Sequence, residues 1–234
     1  MNSAPTPIAQ EIQSIFNRIA PEYDRLNDQL SLGLHRVWKQ MAVNWSNPTP
    51  GSVCLDVCCG SGDLTQMLAR RVGSGQVYGL DFSAALLATA QQRAERSLPL
   101  PITWIEGDAL QLPFEPDFFD AATMGYGLRN VTDIPQSLQE LLRVLKPGAK
   151  VAILDFHRPQ SPYLRALQQW YLDTLVVPMA EGMGLKEEYA YISPSLDRFP
   201  IGSEQVALAY QAGFSSAVHY SIAADMMGIL VATK

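Results

Sequence analysis

The residues best suited to chemistry lie in one stretch, Leu55-Asp56-Val57-Cys58-Cys59-Gly60-Ser61-Gly62-Asp63. An apolar run precedes it and a helix-period run follows, so it reads as strand, tight turn and helix start. Two glycines let the backbone pass close to a ligand at the carboxyl end of a sheet. A Gly-x-Gly turn alone is more often structural. A dinucleotide turn wants a third glycine at position 65, where this chain has Thr65. What stands out instead is an acid, Asp56, ahead of the glycines.

Two further acids join it. Asp81 ends a second apolar strand, about 20 residues on, where a carboxylate can accept both hydroxyls of a ribose. Phe82 follows it. Asp108 comes after a third strand in Gly107-Asp108-Ala109, placed to accept from an adenine amine. Each acid singly is more often a strand-end cap or a solvated residue. Together they mark the edge where open α/β sheets bind ligands. An acid before Gly-x-Gly is the D-x-x-x-G-x-G pattern of domains that bind S-adenosyl-L-methionine (AdoMet). Asp56, Gly60, Gly62, Asp81, Phe82, Asp108 and Ala109 form the candidate cofactor set.

The elements that must position them alternate. Apolar runs at 52–57, 77–81, 102–106, 119–124 and 151–155 read as strands. Helices are predicted over 64–72, 84–96 and 134–145, the last ended by Lys146-Pro147-Gly148. This order implies a parallel sheet with right-handed crossovers. Residues 8–45 read helical, with Pro21 as an interruption and Ser31-Leu32-Gly33 as a turn. Residues 157–200 read helical and rich in aromatic and large apolar side chains. They suit an amphipathic helix over the core, or a lid for an apolar substrate tail. A helix over 204–211, with Ser203 as its N-cap and Gly213 as its stop, leads to strands near 217–222 and 226–233.

Bulk properties exclude several functions. A net charge of -6 over 234 residues, with no basic run, argues against nucleic acid as a partner. The three cysteines, Cys54, Cys58 and Cys59, are too close together for a disulfide framework. They and the scattered His35, His157 and His219 lack metal spacing, so no metal is expected. No apolar run approaches the about 20 residues of a membrane span, and the N-terminus lacks a signal-peptide pattern. A cytoplasmic protein is expected, peripheral at membranes (thylakoids, if cyanobacterial). A homodimer stays open.

Several longer motifs are distinctive. These are Phe16-Asn17-Arg18-Ile19-Ala20-Pro21-Glu22-Tyr23-Asp24, the stretch from Leu26 to Leu34-His35-Arg36-Val37-Trp38-Lys39, and Gly127-Leu128-Arg129-Asn130-Val131-Thr132-Asp133. Arg143-Val144-Leu145-Lys146-Pro147-Gly148 and Tyr189-Ala190-Tyr191-Ile192-Ser193-Pro194-Ser195 accompany them. On these motifs the chain resembles the ubiquinone/menaquinone biosynthesis C-methyltransferase family over nearly its whole length. Cys58-Cys59-Gly60, Met124-Gly125-Tyr126-Gly127 and Asp155-Phe156-His157-Arg158-Pro159 make it most similar to the cyanobacterial and plastid branch that methylates demethylphylloquinone. Asp225-Met226-Met227-Gly228 departs from the bacterial pattern, on the substrate side.

The resemblance implies a class I Rossmann-like methyltransferase, a single domain over 1–234. Its sheet would be seven-stranded and mostly parallel with an antiparallel last strand. A helical N-terminal cap (8–46) and a helical insertion after the fifth strand (157–200) would complete it. The implied methyl donor is AdoMet, with Gly60 and Asp81 as contacts and Asp108 and Ala109 near the adenine. Arg129, Asn130 and Tyr23 would face a prenylated or phytylated naphthoquinol. Demethylmenaquinol or a ubiquinone precursor are alternative acceptors. A non-catalytic AdoMet sensor and an NAD-dependent oxidoreductase are rival classes, the latter disfavoured by Thr65.

Carbon methylation needs an electron-rich acceptor, which the reduced quinol supplies once a hydroxyl loses its proton. Arg129 keeps its charge and lowers a phenol's pKa, but is a poor base. A water held by Arg129 and Asn130 is therefore expected to take the proton, with Tyr23 orienting the hydroxyl. His35 suits a base by type, although its turn suits capping or packing equally. Arg129 could equally pair with Asp133 on the surface.

Overall fold

The protein is described here from a computed structural model covering residues 28, 31, 33–96, 99–182 and 192–234. Tyr23, the motif around it and residues 183–191 lie outside the described residues. The helix expected over 8–45 is described from α1 (His35–Trp45) onward. Then come β1 (Val53–Val57), α2 (Asp63–Val72), β2 (Gln76–Asp81), α3 (Ala84–Glu95), β3 (Ile102–Glu106) and β4 (Phe119–Gly125). A 3-10 turn (Leu128–Asn130) leads into α4 (Ile134–Val144) and β5 (Leu145–Phe156). The insertion holds α5 (Pro162–Tyr171), a π-helical turn (Leu172–Val176), α6 (Val177–Glu181) and α7 (Ile192–Arg198). The chain closes with α8 (Gly202–Ala212), β6 (Ser216–Ile222) and β7 (Met227–Thr233).

The strands form one seven-stranded sheet in the order β3-β2-β1-β4-β5-β7-β6. β1 to β5 run parallel, and β7 enters antiparallel between β5 and β6. This is the expected sheet, antiparallel last strand included. The direction of winding reverses between β1 and β4, so the loops after these strands diverge to opposite faces and leave a crevice. β1 is buried on both faces, as a central parallel strand must be. Leu55 and Val57 pack with Met124 of β4 and Leu138 and Leu141 of α4. Cys54 faces the other layer, with Ala42 and Val43 of α1 and Leu64 and Leu68 of α2.

Two expectations are corrected. Lys146-Pro147-Gly148 does not lie outside the fifth strand. The ladder starts at Leu145 opposite Phe119, and a register shift between Phe119 and Ala121 absorbs the extra residues. Such a bulge tolerates a proline, which has no N–H for the ladder. Ser203 is not the N-cap of α8. Ile201 holds that position, and its N–H donates to the Glu204 carboxylate at 2.8 Å. The aromatic insertion, expected as an amphipathic helix over the core or a lid, has both buried and exposed large side chains. Leu172 and Val176 are buried, but Tyr163 is 79% exposed and Trp170 55%.

The β6–β7 hairpin is tight. Ala223, Ala224 and Asp225 all take left-handed φ values, 53°, 54° and 70°. His219 of β6 lies between Gly202 and Gly228, where a Cβ on either glycine would overlap its ring. Its ring is 4.8 Å from that of His157, whose Nε2 is 3.3 Å from Asp225. Burial, helped by His157, pushes the His219 pKa down from 6.5 to about 4. The folded state thus disfavours a proton that the unfolded chain accepts, and the resulting stability is lost as pH falls from 6.5 towards about 4. Asp56 and Asp81, whose pKa values burial raises to about 7 and about 6, act in the opposite sense as pH falls. A His219→Gln variant separates the two. Its urea midpoint should decline less than the wild type's across the same window; equal declines would assign the acid sensitivity to other groups.

Candidate active site

The loop after β1 is shaped by left-handed residues. Cys58, Gly60 and Gly62 have φ of 55°, 55° and 85°. The Cys59 N–H donates to Leu80 O at 3.0 Å, tying the loop to β2. The Gly60 N–H donates to Asp81 Oδ2 at 2.8 Å, and the Ser83 N–H to Asp81 Oδ1 at 2.9 Å. Ser83 in turn caps α3 by accepting the Leu86 N–H. Asp81 is therefore the clamp between the glycine loop and the start of α3. The Phe82 backbone N–H bonds to it as well, so of the about four lone-pair sites of a carboxylate one remains for a hydroxyl. Gly62 serves packing: a Cβ there would lie 2.7 Å from Trp104 Cη2. The close approach that the sequence attributes to a ligand is made, at this glycine, by a tryptophan.

Asp56 is likewise turned inward. It is fully buried, and its two oxygens accept the Thr65 hydroxyl at 2.6 Å and the Thr123 hydroxyl at 2.8 Å. Burial outweighs these bonds and raises its pKa to about 7. Asp56 braces β1 against α2 and β4, beneath the ligand edge. Thr65, read in the sequence only as a missing glycine, is half of that brace. Asp108 is exposed and accepts the Leu110 N–H at 2.9 Å. Ala109 is buried in the core beside it, and Phe82 is half-buried next to Asp81.

Arg129 reaches the same edge because β4 ends in a close turn. A Cβ on Gly127 would lie 2.6 Å from Cys58 Cβ, so the turn packs directly on the glycine loop. The Arg129 side chain is 6% exposed. Its Nε donates to Asp155 Oδ1 at 3.3 Å, its backbone N–H to Asp155 Oδ2 at 3.1 Å, and its Nη1 to Ser195 Oγ. The guanidinium carbon sits 5.2 Å from the Phe156 ring centroid. Asp133, weighed in the sequence as a surface partner for Arg129, instead caps α4 by accepting the Gln136 N–H. Asn130 Nδ2 donates to Tyr126 O at 2.9 Å, while its buried Oδ1 has no partner among the described residues. An unsatisfied buried acceptor costs about 1–3 kcal/mol, a cost relieved by a ligand or water that donates there.

His35 is buried at the start of α1, with Nε2 2.7 Å from Asp28 Oδ1. That is the packing role. Sequence reasoning missed Asp155 and Ser195. Asp155 was discoverable as a fourth acid at a strand's carboxyl end. Nothing in the sequence joins Ser195 to Arg129. Burial first, and then the charges of Asp81, Asp56, Asp108 and Asp155, raise the Cys58 pKa. The loop therefore sits in a negative field, which suits a ligand bearing sulfonium and ammonium charges.

The split between brace and contact is measurable. Asp56→Ala leaves two buried hydroxyls without their acceptor and should cost about 1–3 kcal/mol of stability for each. Asp81→Ala should weaken AdoMet binding in calorimetry more than it lowers stability. The reverse pattern would make Asp56 the ligand contact.

The model of the "ubiE/COQ5 methyltransferase family" matches residues 7–234. A 2-phytyl-1,4-naphtoquinone methyltransferase of Trichormus variabilis is 67% identical over 229 residues, 97% of this chain and 100% of that protein. The chloroplastic 2-phytyl-1,4-beta-naphthoquinone methyltransferase of Arabidopsis thaliana is 51% identical over 230 residues, 97% of this chain and 88% of that protein. Among solved structures, a SAM-dependent methyltransferase from Thermotoga maritima, described as a possible histamine N-methyltransferase, has a TM-score of 0.65 at 19% identity. The alignment covers 94% of this chain and 99% of that one, a likeness of fold. With its glycine loop, strand-end acids and full-length match, the chain belongs to the ubiE/COQ5 methyltransferase family.

Proposed function

We propose that this methyltransferase converts demethylphylloquinol (2-phytyl-1,4-naphthoquinol) to phylloquinol by AdoMet-dependent C-methylation, the last step of phylloquinone synthesis. The observation that carries the reading is the buried Asn130 Oδ1, unpartnered among the described residues, beside the anchored Arg129. An acceptor and a cation side by side suit a phenolic hydroxyl that must ionise. The names of relatives, one of them 67% identical, support a naphthoquinone skeleton with a phytyl tail, and the reduced form follows from the chemistry of carbon methylation.

AdoMet, when bound, supplies a methyl already activated on a sulfonium. Asp81 would accept a ribose hydroxyl with its remaining lone pair, Asp108 the adenine amine, and the Gly60–Gly62 backbone would pass beneath. Phe82 and Ala109 would line the adenosine. Asp155 and Ser195 hold the guanidinium by Nε and Nη1, leaving Nη2 outside both bonds. A fixed cation lowers the pKa of a nearby phenol without reorganising. Asn130 Oδ1 accepts the hydroxyl proton's hydrogen bond, directly or through the water that removes it. Tyr23 orients the hydroxyl from the N-terminal segment. Alignment of donor and ring supplies most of the remaining acceleration.

The phytyl tail is apolar, and α5 exposes Tyr163, Leu167 and Trp170 at helical spacing on one face. Tyrosine and tryptophan suit the bilayer interface. Among the described residues, no helix is long and apolar enough to cross a membrane. Contact through α5 would therefore be peripheral and transient.

A radiolabelled-methyl assay should show turnover of anaerobic demethylphylloquinol ahead of demethylmenaquinol, and none of the oxidised quinone. Equal turnover of quinol and quinone would sink the mechanism. Arg129→Ala should lower kcat by about 100-fold or more, as losses of electrostatic stabilisation do, with AdoMet affinity little changed. Parallel loss of both would move Arg129 to the cofactor side. Wild-type protein should co-sediment with neutral galactolipid liposomes, and a Tyr163→Ser, Trp170→Ser variant less so. Absence of wild-type co-sedimentation removes the membrane contact.

A further inference from the structure

The stretch Leu34-His35-Arg36-Val37-Trp38-Lys39 has no part in the chemistry above, yet its last residue is buried. Lys39 lies in α1, and its Nζ is 2.6 Å from Asp63 Oδ2, the first residue of α2. The other oxygen of Asp63 is 2.6 Å from Arg93 Nη2. Arg93 Nη1 donates to Ser61 O at 3.0 Å, inside the glycine loop. On its other side, Lys39 Nζ is 5.9 Å from the centroid of the Tyr126 ring. Tyr126 takes a left-handed φ of 59°, and its carbonyl accepts the Asn130 amide. Lys39 thus touches the cofactor loop through Asp63 and the Arg129–Asn130 turn through Tyr126. The side chains of Lys39 and Asp63 are 5% and 17% exposed, so water screens the pair little.

We propose that Lys39 is a positioning residue that couples the seating of α1 to cofactor binding and to the placement of Asn130. The inference rests on the AdoMet reading of the glycine loop. A cation is required because it must satisfy Asp63 and lie over an aromatic face at once. A neutral side chain would leave Asp63 held by Arg93 alone, free to draw Arg93 away from Ser61 O and loosen the loop. Linkage makes the effect reciprocal: AdoMet in the loop must hold α1 more firmly.

The test uses the full chain with AdoMet and reduced naphthoquinol. Lys39→Met should raise the AdoMet Kd and KM by about tenfold, within the usual range for coupled sites, and also lower kcat. Lys39→Arg should restore most of the affinity. Lys39→Met combined with Asp63→Asn should bind no worse than Lys39→Met, because the lysine acts through the aspartate. A lowered melting temperature with unchanged Kd and kcat would reduce Lys39 to a structural residue and overturn the inference, as would additive losses in the double variant. If Lys39→Met does not fold, hydrogen exchange on the wild type decides: AdoMet should slow exchange in α1 as well as the loop, and protection of the loop alone overturns the coupling. Wild-type protein that binds no AdoMet would overturn the cofactor reading, and the inference with it. Wild-type binding with an unaffected Lys39→Met overturns the inference alone.

Discussion

The bond from the Gly60 N–H to the Asp81 carboxylate organises the functional edge of this protein. A parallel sheet ends in a row of backbone groups and side chains that water or a ligand must satisfy. Here a carboxylate from β2 closes the turn that follows β1 and, with its other oxygen, receives the backbone at the start of α3. The turn can accept this bond because Cys58, Gly60 and Gly62 all lie in the left-handed region. Two of these are glycines, which take that conformation at little cost. Once the loop is set, Gly127 can pack against Cys58, and the Arg129 turn arrives at the same crevice.

Charge balance governs the rest of the site. Four aspartates act on Cys58, and a buried carboxylate without partners would be protonated or would unfold its surroundings. Each has a different answer. Asp56 uses two threonine hydroxyls, Asp81 uses backbone N–H groups, Asp155 uses Arg129, and Asp108 stays near water. Asp63 adds a fifth solution. Burial opposes its charge, yet Lys39 and Arg93 overcome it and bring its pKa down to about 2. Buried ion pairs contribute little net stability, but they fix geometry, because a misplaced partner leaves a buried charge alone. In the proposed reaction, such a pair would hold an arginine rigid beside an ionising phenol.

Much of this was legible in the sequence because the signals are local. Strand and helix periodicity, the glycine turn and the acids after each strand need only near neighbours. The β3 span was read at its observed limits, and most other elements to within a residue or two. Errors fell where a distant partner decides. Lys146-Pro147-Gly148 looks like a turn until β4 pairs with Leu145 across a bulge. Ser203 is a local exception: it looks like a cap, but Glu204 reaches back three residues to Ile201. The aromatic run after β5 suits an amphipathic helix or a lid, and only packing shows that it exposes Tyr163 and Trp170.

By itself the sequence determined the alternating α/β order, the glycine turn at the carboxyl end of β1, and three of the acids around it. Chain-local geometry is enough for these, since a strand's direction dictates which end its following residue occupies. Tertiary structure alone decided which acids face the crevice and which are spent inside. Asp56 and Asp81 occupy similar places in the sequence, each at or near the end of a strand. One meets Thr65 and Thr123 from two other elements, and the other meets the backbone of the loop. Arg129 could not be assigned to Asp155 and Ser195 rather than Asp133, nor Lys39 to Asp63, until segments distant in sequence were packed together. A side chain's role depends on what lies within about 3 Å of it in space, and for buried charges that is set by packing across elements.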